Sequence, residues 1–161
     1  MTKVSKVSLE HASFALERRL DAAPARVFAA WAEPAVKRLW FGDADGWEDV
    51  EHSLDFRVGG REFSSARQPG GPLHVNDTVF LNIVPERRIV FAYTMRLDDK
   101  PISASLATVE IRPDGKGTRL VYTEQAAFFE GLDGVAMRES GWTWLLDQLE
   151  KALEGKIAAQ A

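Results

Sequence analysis

The sequence contains no cysteine, which excludes disulfide bonds, thiolate metal ligands and cysteine nucleophiles. The three histidines, His11, His52 and His74, lie in different segments and lack the paired spacing of metal-binding histidines. Neither sign of charge dominates, because 20 basic residues stand against 24 acidic ones and the net charge is −4. Such a balance gives no strong attraction to nucleic acid or to an anionic membrane surface. The sequence therefore predicts no metal site and no nucleic-acid partner.

Long apolar runs and nucleotide-binding motifs are also missing. No stretch reaches the roughly 18 consecutive apolar residues of a membrane span, and the first dozen residues lack the apolar core of a signal peptide. Neither a glycine-rich dinucleotide fingerprint nor a phosphate-binding loop occurs, so we expect no cofactor. We expect a cytoplasmic protein with one domain at residues 13–156, between a flexible N-terminal segment, 1–12, and a C-terminal tail, 157–161.

The clearest positive pattern lies near the C-terminus, from Leu132 to Glu154. Apolar side chains recur there at intervals of three and four residues, which gathers them into one stripe on a helix. The stripe consists of Val135, Trp142, Leu145, Leu146, Leu149, Ala152 and Leu153. A stripe of this kind needs a partner surface, and the preceding strands can supply it as one face of a sheet.

Strand and turn signals fill most of the remaining chain. Apolar and polar residues alternate from Phe14 to Leu20, and Pro24 and Pro34 each open a short helix. Six further strands are separated by turns rich in glycine, proline and aspartate: Trp47 to Val58, Arg61 to Arg67, Val75 to Val84, Arg88 to Leu97, Ile102 to Arg112 and Thr118 to Ala126. The predicted fold class is α+β, a curved antiparallel sheet with two short helices and one long C-terminal helix packed across it.

Several short motifs accompany this order of elements. They are Ala23 to Trp31, Leu39 to Gly42, Asp55 to Arg61, Val84 to Phe91, Gly117 to Leu120, Gly141-Trp142 and Leu146 to Leu149. Together they resemble the START-like, or SRPBCC, superfamily with its helix-grip (Bet v-like) fold. The similarity is greatest to the branch of the activator of heat shock protein 90 ATPase homologue, C-terminal domain. The resemblance implies a container that relatives use for lipid carriage, hormone sensing, polyketide cyclisation or co-chaperone work.

A bent sheet cannot follow a straight helix along its whole length, so a gap is expected between them. Its candidate ligand-binding residues are Trp40, Phe56, Phe63, Phe80, Phe91, Tyr93, Met95, Tyr122, Met137, Arg138 and Trp142, and Glu139 is a further polar candidate near the helix start. The alternative is that the aromatic rings among them fill a dry core. The sequence does not decide between these interpretations for any single ring.

No motif identifies a catalytic residue, and Glu124 is the leading candidate for one. It shares the parity of Leu120 and Tyr122, so its carboxyl group can point into the gap and act as an acid or a hydrogen-bond donor. The alternative is a carboxylate at the rim, paired with a base such as Arg138. The phenols of Tyr93 and Tyr122 can bind a ligand carbonyl or reach a backbone group instead.

Two weaker patterns have ordinary explanations. His52 can act as a general base, but a surface or hydrogen-bonded histidine is the simpler interpretation. Asp43, Asp45, Glu48 and Asp49 suggest calcium, yet Gly46 comes too early for a calcium-binding loop, which favours a solvated acidic loop.

The function that these observations favour is binding of a small apolar or amphipathic molecule between the sheet and the C-terminal helix. One alternative is a cyclase-, dehydratase- or hydrolase-like enzyme that uses the same cavity, so enzymatic activity stays undecided. The other is a co-chaperone-like interaction domain. It is the least favoured, because the activator has a separate N-terminal domain that this sequence does not contain. Monomer and homodimer are equally compatible with the sequence.

Overall fold

The computed structural model describes residues 7–42 and 46–155. Within them, the order is one strand, two helices, six strands and a final helix, as the sequence predicts. The strands are β1 (Leu9–Leu20), β2 (Glu48–Leu54), β3 (Arg61–Arg67), β4 (His74–Val84), β5 (Arg88–Leu97), β6 (Lys100–Asp114) and β7 (Gly117–Phe129). The helices are α1 (Pro24–Ala32), α2 (Pro34–Trp40) and α3 (Val135–Leu153).

All seven strands form one antiparallel sheet in the order β1-β7-β6-β5-β4-β3-β2. Short turns join β2 through β7 in sequence, and β1 crosses to the far side of β7. Irregularities interrupt the β4–β5 register between Phe80 and Asn82 and the β5–β6 register between Met95 and Arg96. Because bulges bend a strand and increase its twist, they help the sheet curve around α3.

The stripe predicted on α3 supplies the helical half of the core. Trp142, Leu146, Leu149 and Leu153 are buried against α1, α2 and the sheet. Each buried side chain of this size stabilises the fold by about 1.5–3 kcal/mol through removal of apolar surface from water. None of the helices that the structure describes combines the length and the apolar character needed to cross a membrane.

The two short helices close one end of the core. Proline stands in the first turn of each, where its missing N–H does no harm, and Glu33 separates them in extended backbone. The Trp31 and Trp40 rings meet edge to face at 4.7 Å. The Trp40 indole Nε1 donates to the Ala30 carbonyl at 2.9 Å, so the second helix is tied to the first.

Several predicted boundaries differ from the structure, most clearly at β1, β2 and α3. Residues 9–12, expected in a flexible segment, belong to β1 because β7 continues to Phe129 and supplies their pairing partners. The strand expected to reach Val58 ends at Leu54, because the Asp55 N–H bonds to the Arg61 carbonyl and starts a tight turn. Helix α3 starts at Val135 instead of Leu132. Residues 1–6 and 157–161 of the predicted termini lie outside the described residues.

The tight turn after β2 requires a glycine at position 60. A Cβ atom there would lie 2.1 Å from the Asp55 carbonyl oxygen, whereas one at Gly141 in α3 would meet no atom within 4 Å. We expect Gly60→Ala to lower the free energy of unfolding by about 1–3 kcal/mol through steric strain. Gly141→Ala is expected to raise it by about 0.5–1 kcal/mol, because alanine favours the helix. Urea denaturation measures both, and a neutral Gly60→Ala would contradict the tight turn.

Candidate functional site

A cavity of about 440 Å³ lies between α3 and the strands β3 to β6 and opens to solvent on one side. Ligand sites in proteins typically enclose about 300–1,000 Å³, so this space suits a small organic molecule. The sheet contributes Ser64, Ser65, Ala66, His74, Asn76, Tyr93, Met95, Leu97 and Ile102 to its wall. The helical side and the rim contribute Phe41, Gly42, Asp49, Leu132, Asp133, Met137, Arg138, Gly141, Trp142 and Leu145.

Five of the residues predicted from the sequence lie on this wall: Tyr93, Met95, Met137, Arg138 and Trp142. Met137 is 74% exposed and therefore lies at the mouth of the cavity, not in its interior. Glu139, the other polar candidate on α3, is absent from the wall. The helix thus presents one face to the cavity and turns Glu139 away.

Five other predicted residues fill the core beside the cavity and do not line it: Trp40, Phe56, Phe80, Phe91 and Tyr122. Their rings contact one another or the neighbouring rings, with 4.9 Å between the centroids of Phe56 and Phe80 and 4.0 Å between those of Tyr122 and Trp142. Aromatic contacts at these separations are ordinary core packing. For these positions the structure shows the packing alternative.

Phe63 lies on the opposite face of the sheet. It pairs with Asp77, whereas Glu62 on the inner face pairs with Thr78 and, one strand further, lies in line with Tyr93. The sequence of β3 contains one large apolar side chain, and the prediction placed it inward. The inner face of β3 in fact carries Glu62, Ser64 and Ala66, of which Ser64 and Ala66 line the cavity.

Glu124 is fully buried behind the wall residues Tyr93 and Arg138, not at the rim. Its Oε1 accepts hydrogen bonds from the Tyr93 and Tyr122 hydroxyls at 2.7 and 2.6 Å. Its Oε2 accepts from Ser105 Oγ at 2.8 Å and from Arg138 Nη1 at 3.1 Å. Four donors surround one carboxyl group, an arrangement that suits the ionised form, which only accepts.

Arg138 joins this group to the loop before α3. Its Nη2 donates to Ser103 Oγ at 2.7 Å and to the Asp133 carboxylate, so one guanidinium serves two carboxylates. Burial lowers the pKa of Arg138, but Tyr93, Glu124 and Asp133 outweigh it and raise the pKa above its usual value. Arg138 is therefore a permanent cation whose charge is already compensated.

The two phenols belong to the same network. Burial raises the pKa of Tyr93 and of Tyr122 above the usual range, so both hydroxyls stay protonated and donate to Glu124. The Tyr93 oxygen also accepts from Arg138 Nη1 at 3.0 Å and from the Trp142 indole Nε1 at 3.1 Å. Glu124, and not the backbone group given as the alternative, accepts from both hydroxyls.

A second buried ionic cluster, which the sequence did not reveal, lies under α2. Lys37 Nζ contacts Glu62 Oε1 at 2.6 Å, and His52 Nε2 contacts Glu62 Oε2 at 2.9 Å. Lys37 Nζ also lies 4.6 Å from the centre of the Phe41 ring. Burial raises the pKa of Glu62, but Lys37 and His52 outweigh it and hold the pKa below its ordinary value. The period-two spacing of Glu62, Ser64 and Ala66 indicates that these three side chains share a face of β3, but it does not indicate that Lys37 and His52 lie against Glu62.

This cluster decides the position of His52, which the sequence offered as a general base. The ring is buried on Glu62 and does not line the cavity. The hydrogen-bonded interpretation therefore describes His52 better than a base in contact with a ligand.

The acidic segment after α2 shows no metal-binding geometry where it is described. Asp43 and Asp45 lie outside the described residues. Glu48 and Asp49 begin β2, and Asp49 Oδ2 lies 3.5 Å from Arg38 Nη2. In residues 7–42 and 46–155, no three histidine, aspartate or glutamate side chains come together to hold a metal ion.

The model of the family described as "Activator of Hsp90 ATPase homolog 1-like protein" matches residues 21–154. The chain belongs to this family. The match covers both short helices, the strands from β2 onward and α3. With the curved sheet and the long closing helix, it confirms the predicted START-like (SRPBCC) superfamily and its helix-grip fold.

Solved structures of relatives agree with this membership. The Mll3558 protein of Rhizobium loti is 48% identical, with a TM-score of 0.84, 90% of this chain covered and 99% of the relative. An uncharacterised protein of Rhizobium leguminosarum is 42% identical, with a TM-score of 0.89, covering 92% and 98%. The AHSA1-like protein of Aeromonas hydrophila, at 20% identity, has a TM-score of 0.70, covers 90% and 94%, and shows the fold alone. No curated protein matches the chain.

The family and its fold support a ligand-binding domain in general terms. The identity of the ligand depends on the residues that line the cavity of this particular chain.

Proposed function

We propose that this protein binds a small, largely apolar molecule in the cavity between the sheet and α3. The observation that carries the proposal is the composition of the wall. Met95, Leu97, Ile102, Leu145 and the Trp142 ring surround a space of about 440 Å³. Enclosure by apolar and aromatic side chains, with a few fixed polar groups, is the usual composition of a small-molecule site.

The buried network supports the proposal by holding the cavity open. Arg138 links α3 to β6 and β7 through Ser103, Ser105 and Glu124, and Trp142 links α3 to β5 through Tyr93. Charged and polar groups at this depth are stable only with their partners in place. They therefore fix the distance between helix and sheet, and the space next to them does not collapse.

An enzyme of the cyclase, dehydratase or hydrolase type has less support. Glu124 is fully buried and does not line the cavity, whereas its partners Tyr93 and Arg138 do. A general acid must come within hydrogen-bond reach of the reacting group. Glu124 is therefore proposed as a positioning residue for Tyr93 and Arg138. Nothing in the geometry specifically favours a chaperone partner.

Native mass spectrometry of protein purified without organic extraction tests the proposal directly. We expect either a bound small molecule or, after addition of flavonoid, polyketide and neutral lipid probes, a one-to-one complex with quenched tryptophan fluorescence. Trp142 lies on the wall, so its emission should respond to an occupant. Absence of a bound species, of quenching and of any thermal shift across the panel would reject the proposal.

Gly141 offers a matched pair of variants that locates the binding. It lies on the wall, and a Cβ atom there would meet nothing within 4 Å. We expect Gly141→Leu to weaken binding of any probe by about tenfold or more by occupying the cavity, because overlapping groups cannot share a packed space. Gly141→Ala, which adds one methyl group, should retain affinity within about threefold. Equal affinities for the two variants in isothermal titration calorimetry would show that the probe binds elsewhere.

A further inference from the structure

Two polar side chains of the cavity wall, Tyr93 on β5 and Arg138 on α3, are already engaged with each other and with buried partners. Tyr93 OH donates to Glu124 and accepts from Arg138 and Trp142. The Arg138 guanidinium donates to Glu124, Ser103, Ser105 and Asp133 as well. A ligand that recruited either residue would have to break hydrogen bonds in a buried network, each costing about 1–3 kcal/mol if left unmade.

The charges on the cavity wall disfavour a negatively charged ligand. Arg138 supplies the wall with a positive charge, but its guanidinium already pairs with the carboxylates of Glu124 and Asp133. Asp49 adds a further carboxylate at the rim, although Arg38 lies 3.5 Å from it. His74 supplies no cation at neutral pH, since burial lowers its pKa more than Asp133 and Asp98 raise it. A ligand carboxylate would therefore be desolvated without an available positive partner.

The wall formed by β3 and β4 differs, because it carries unused hydrogen-bonding groups. Ser64 pairs with Asn76 across β3 and β4, and His74 lies two residues before Asn76 on the same face. Asn76 uses its carbonyl oxygen to accept from Thr78 at 3.1 Å, which leaves its NH₂ group for another partner. No hydrogen bond to another described residue engages the side chains of Ser64 or His74. These three half-buried groups can donate to and accept from a neutral head group.

From this asymmetry we infer that the cavity selects uncharged molecules that combine an apolar ring or chain with a neutral oxygen-bearing or amide head. The head lies against Ser64, His74 and Asn76 on the sheet, and the apolar part lies against Met95, Leu145 and Trp142. Carboxylates of the same size are excluded by charge. This inference rests on the proposed function, since it names the chemical class of the molecule that the same cavity binds.

Three probes of nearly equal shape test the inference: 2-naphthamide, which is neutral, 2-naphthoate, an anion, and 2-naphthylmethylammonium, a cation. Isothermal titration calorimetry at neutral pH is expected to show 2-naphthamide binding at least about tenfold more tightly than 2-naphthoate, because burial of an unpaired charge is costly. The cation is expected to bind more weakly than the amide as well, because the wall carboxylates Asp49 and Asp133 already pair with Arg38 and Arg138. Tighter or equal binding of either ion would overturn the inference while the proposed function stands. Absence of binding by all three, together with the negative panel described above, would reject the proposed function itself.

Two substitutions separate the charge argument from the hydrogen-bond argument. Asp133→Asn keeps the Oδ1 that accepts from the Gly134 N–H at 2.7 Å but removes one of the two carboxylates on Arg138. It should raise 2-naphthoate affinity by about threefold or more and change 2-naphthamide by less than about twofold. Asn76→Ala should weaken 2-naphthamide by about three- to tenfold, the value of one hydrogen bond.

Asp147→Asn is the matched control, because Asp147 pairs with Arg18 away from the cavity. It should leave both affinities unchanged. If Asp147→Asn raised 2-naphthoate affinity as much as Asp133→Asn, the effect would come from the overall charge of the protein, and the inference would be contradicted. Unchanged 2-naphthoate binding in Asp133→Asn would contradict it too.

Discussion

Replacing Arg138 by methionine is expected to lower the free energy of unfolding by about 3–5 kcal/mol, because a buried ion would lose its partner. Glu124 is completely buried and Asp133 is 10% exposed, and both carboxylates rely on this guanidinium. Tyr93, Tyr122 and Ser105 would still donate to Glu124, but neutral donors cannot neutralise its charge. Urea denaturation followed by far-ultraviolet circular dichroism measures the change.

The matched control is Arg57→Met, which removes another arginine–carboxylate pair. Arg57 contacts Asp55 at 2.8 Å, but its side chain is 70% exposed, so its removal should cost less than about 1 kcal/mol. A double variant, Arg138→Met with Glu124→Gln, should recover part of the lost stability, because it removes the unpaired charge with its partner. If the single Arg138→Met variant were as stable as Arg57→Met, the described network would not be a buried ionic one.

The second large effect is expected at Glu62, whose carboxylate holds Lys37 and His52 together under α2. Glu62→Gln should lower the free energy of unfolding by about 3–5 kcal/mol at neutral pH, since the buried Lys37 ammonium would lose its negative partner and keep only a neutral acceptor and its ring contacts. This change should also alter the pH dependence. The pKa of Glu62 lies below its ordinary value of 4.5 in the folded protein, so the unfolded state binds more protons between the two values.

In the wild type, ionised Glu62 therefore stabilises the folded state. This contribution is fully present above pH 4.5 and is lost as the pH falls through the lowered pKa of Glu62 in the folded protein. Glu62→Gln should flatten this part of the acid unfolding curve in addition to lowering the curve at neutral pH. Denaturation midpoints measured from neutral to acid pH separate the two effects. An acid slope identical to that of the wild type would show that Glu62 is not the group that titrates.

The elements of the fold could be predicted because their signals are local. Pro34 and the loop that begins at Phe41 bound α2, and Pro85 and Asp98 bound β5, so the predicted limits Pro34 to Trp40 and Arg88 to Leu97 agree with the structure. The ends of β1 and β7 could not be predicted, because they depend on each other's pairing. Pairing partners far apart in sequence leave no local trace.

The polar part of the site was harder to predict, since ion pairs depend on which residues the fold brings together. The parity of Glu124 gave its inward direction, but only the packing of α3 shows that Arg138 closes over it. Phe63 was predicted inward as the one large apolar residue of β3, and the register instead turns Glu62 and Ser64 inward. A pattern of apolar residues shows which side chains share a face, but it does not show which charged residues become neighbours in the fold.

Both proposals require that a small neutral molecule enters the space between the sheet and α3. Titration of isotope-labelled protein with 2-naphthamide, followed by two-dimensional amide and indole NMR, tests it most directly. We expect saturable shifts concentrated at Asn76, Gly141 and the Trp142 indole, with none at Arg57 on the remote turn. Shifts confined to residues outside the cavity wall, or none up to the solubility limit of the probe, would contradict it.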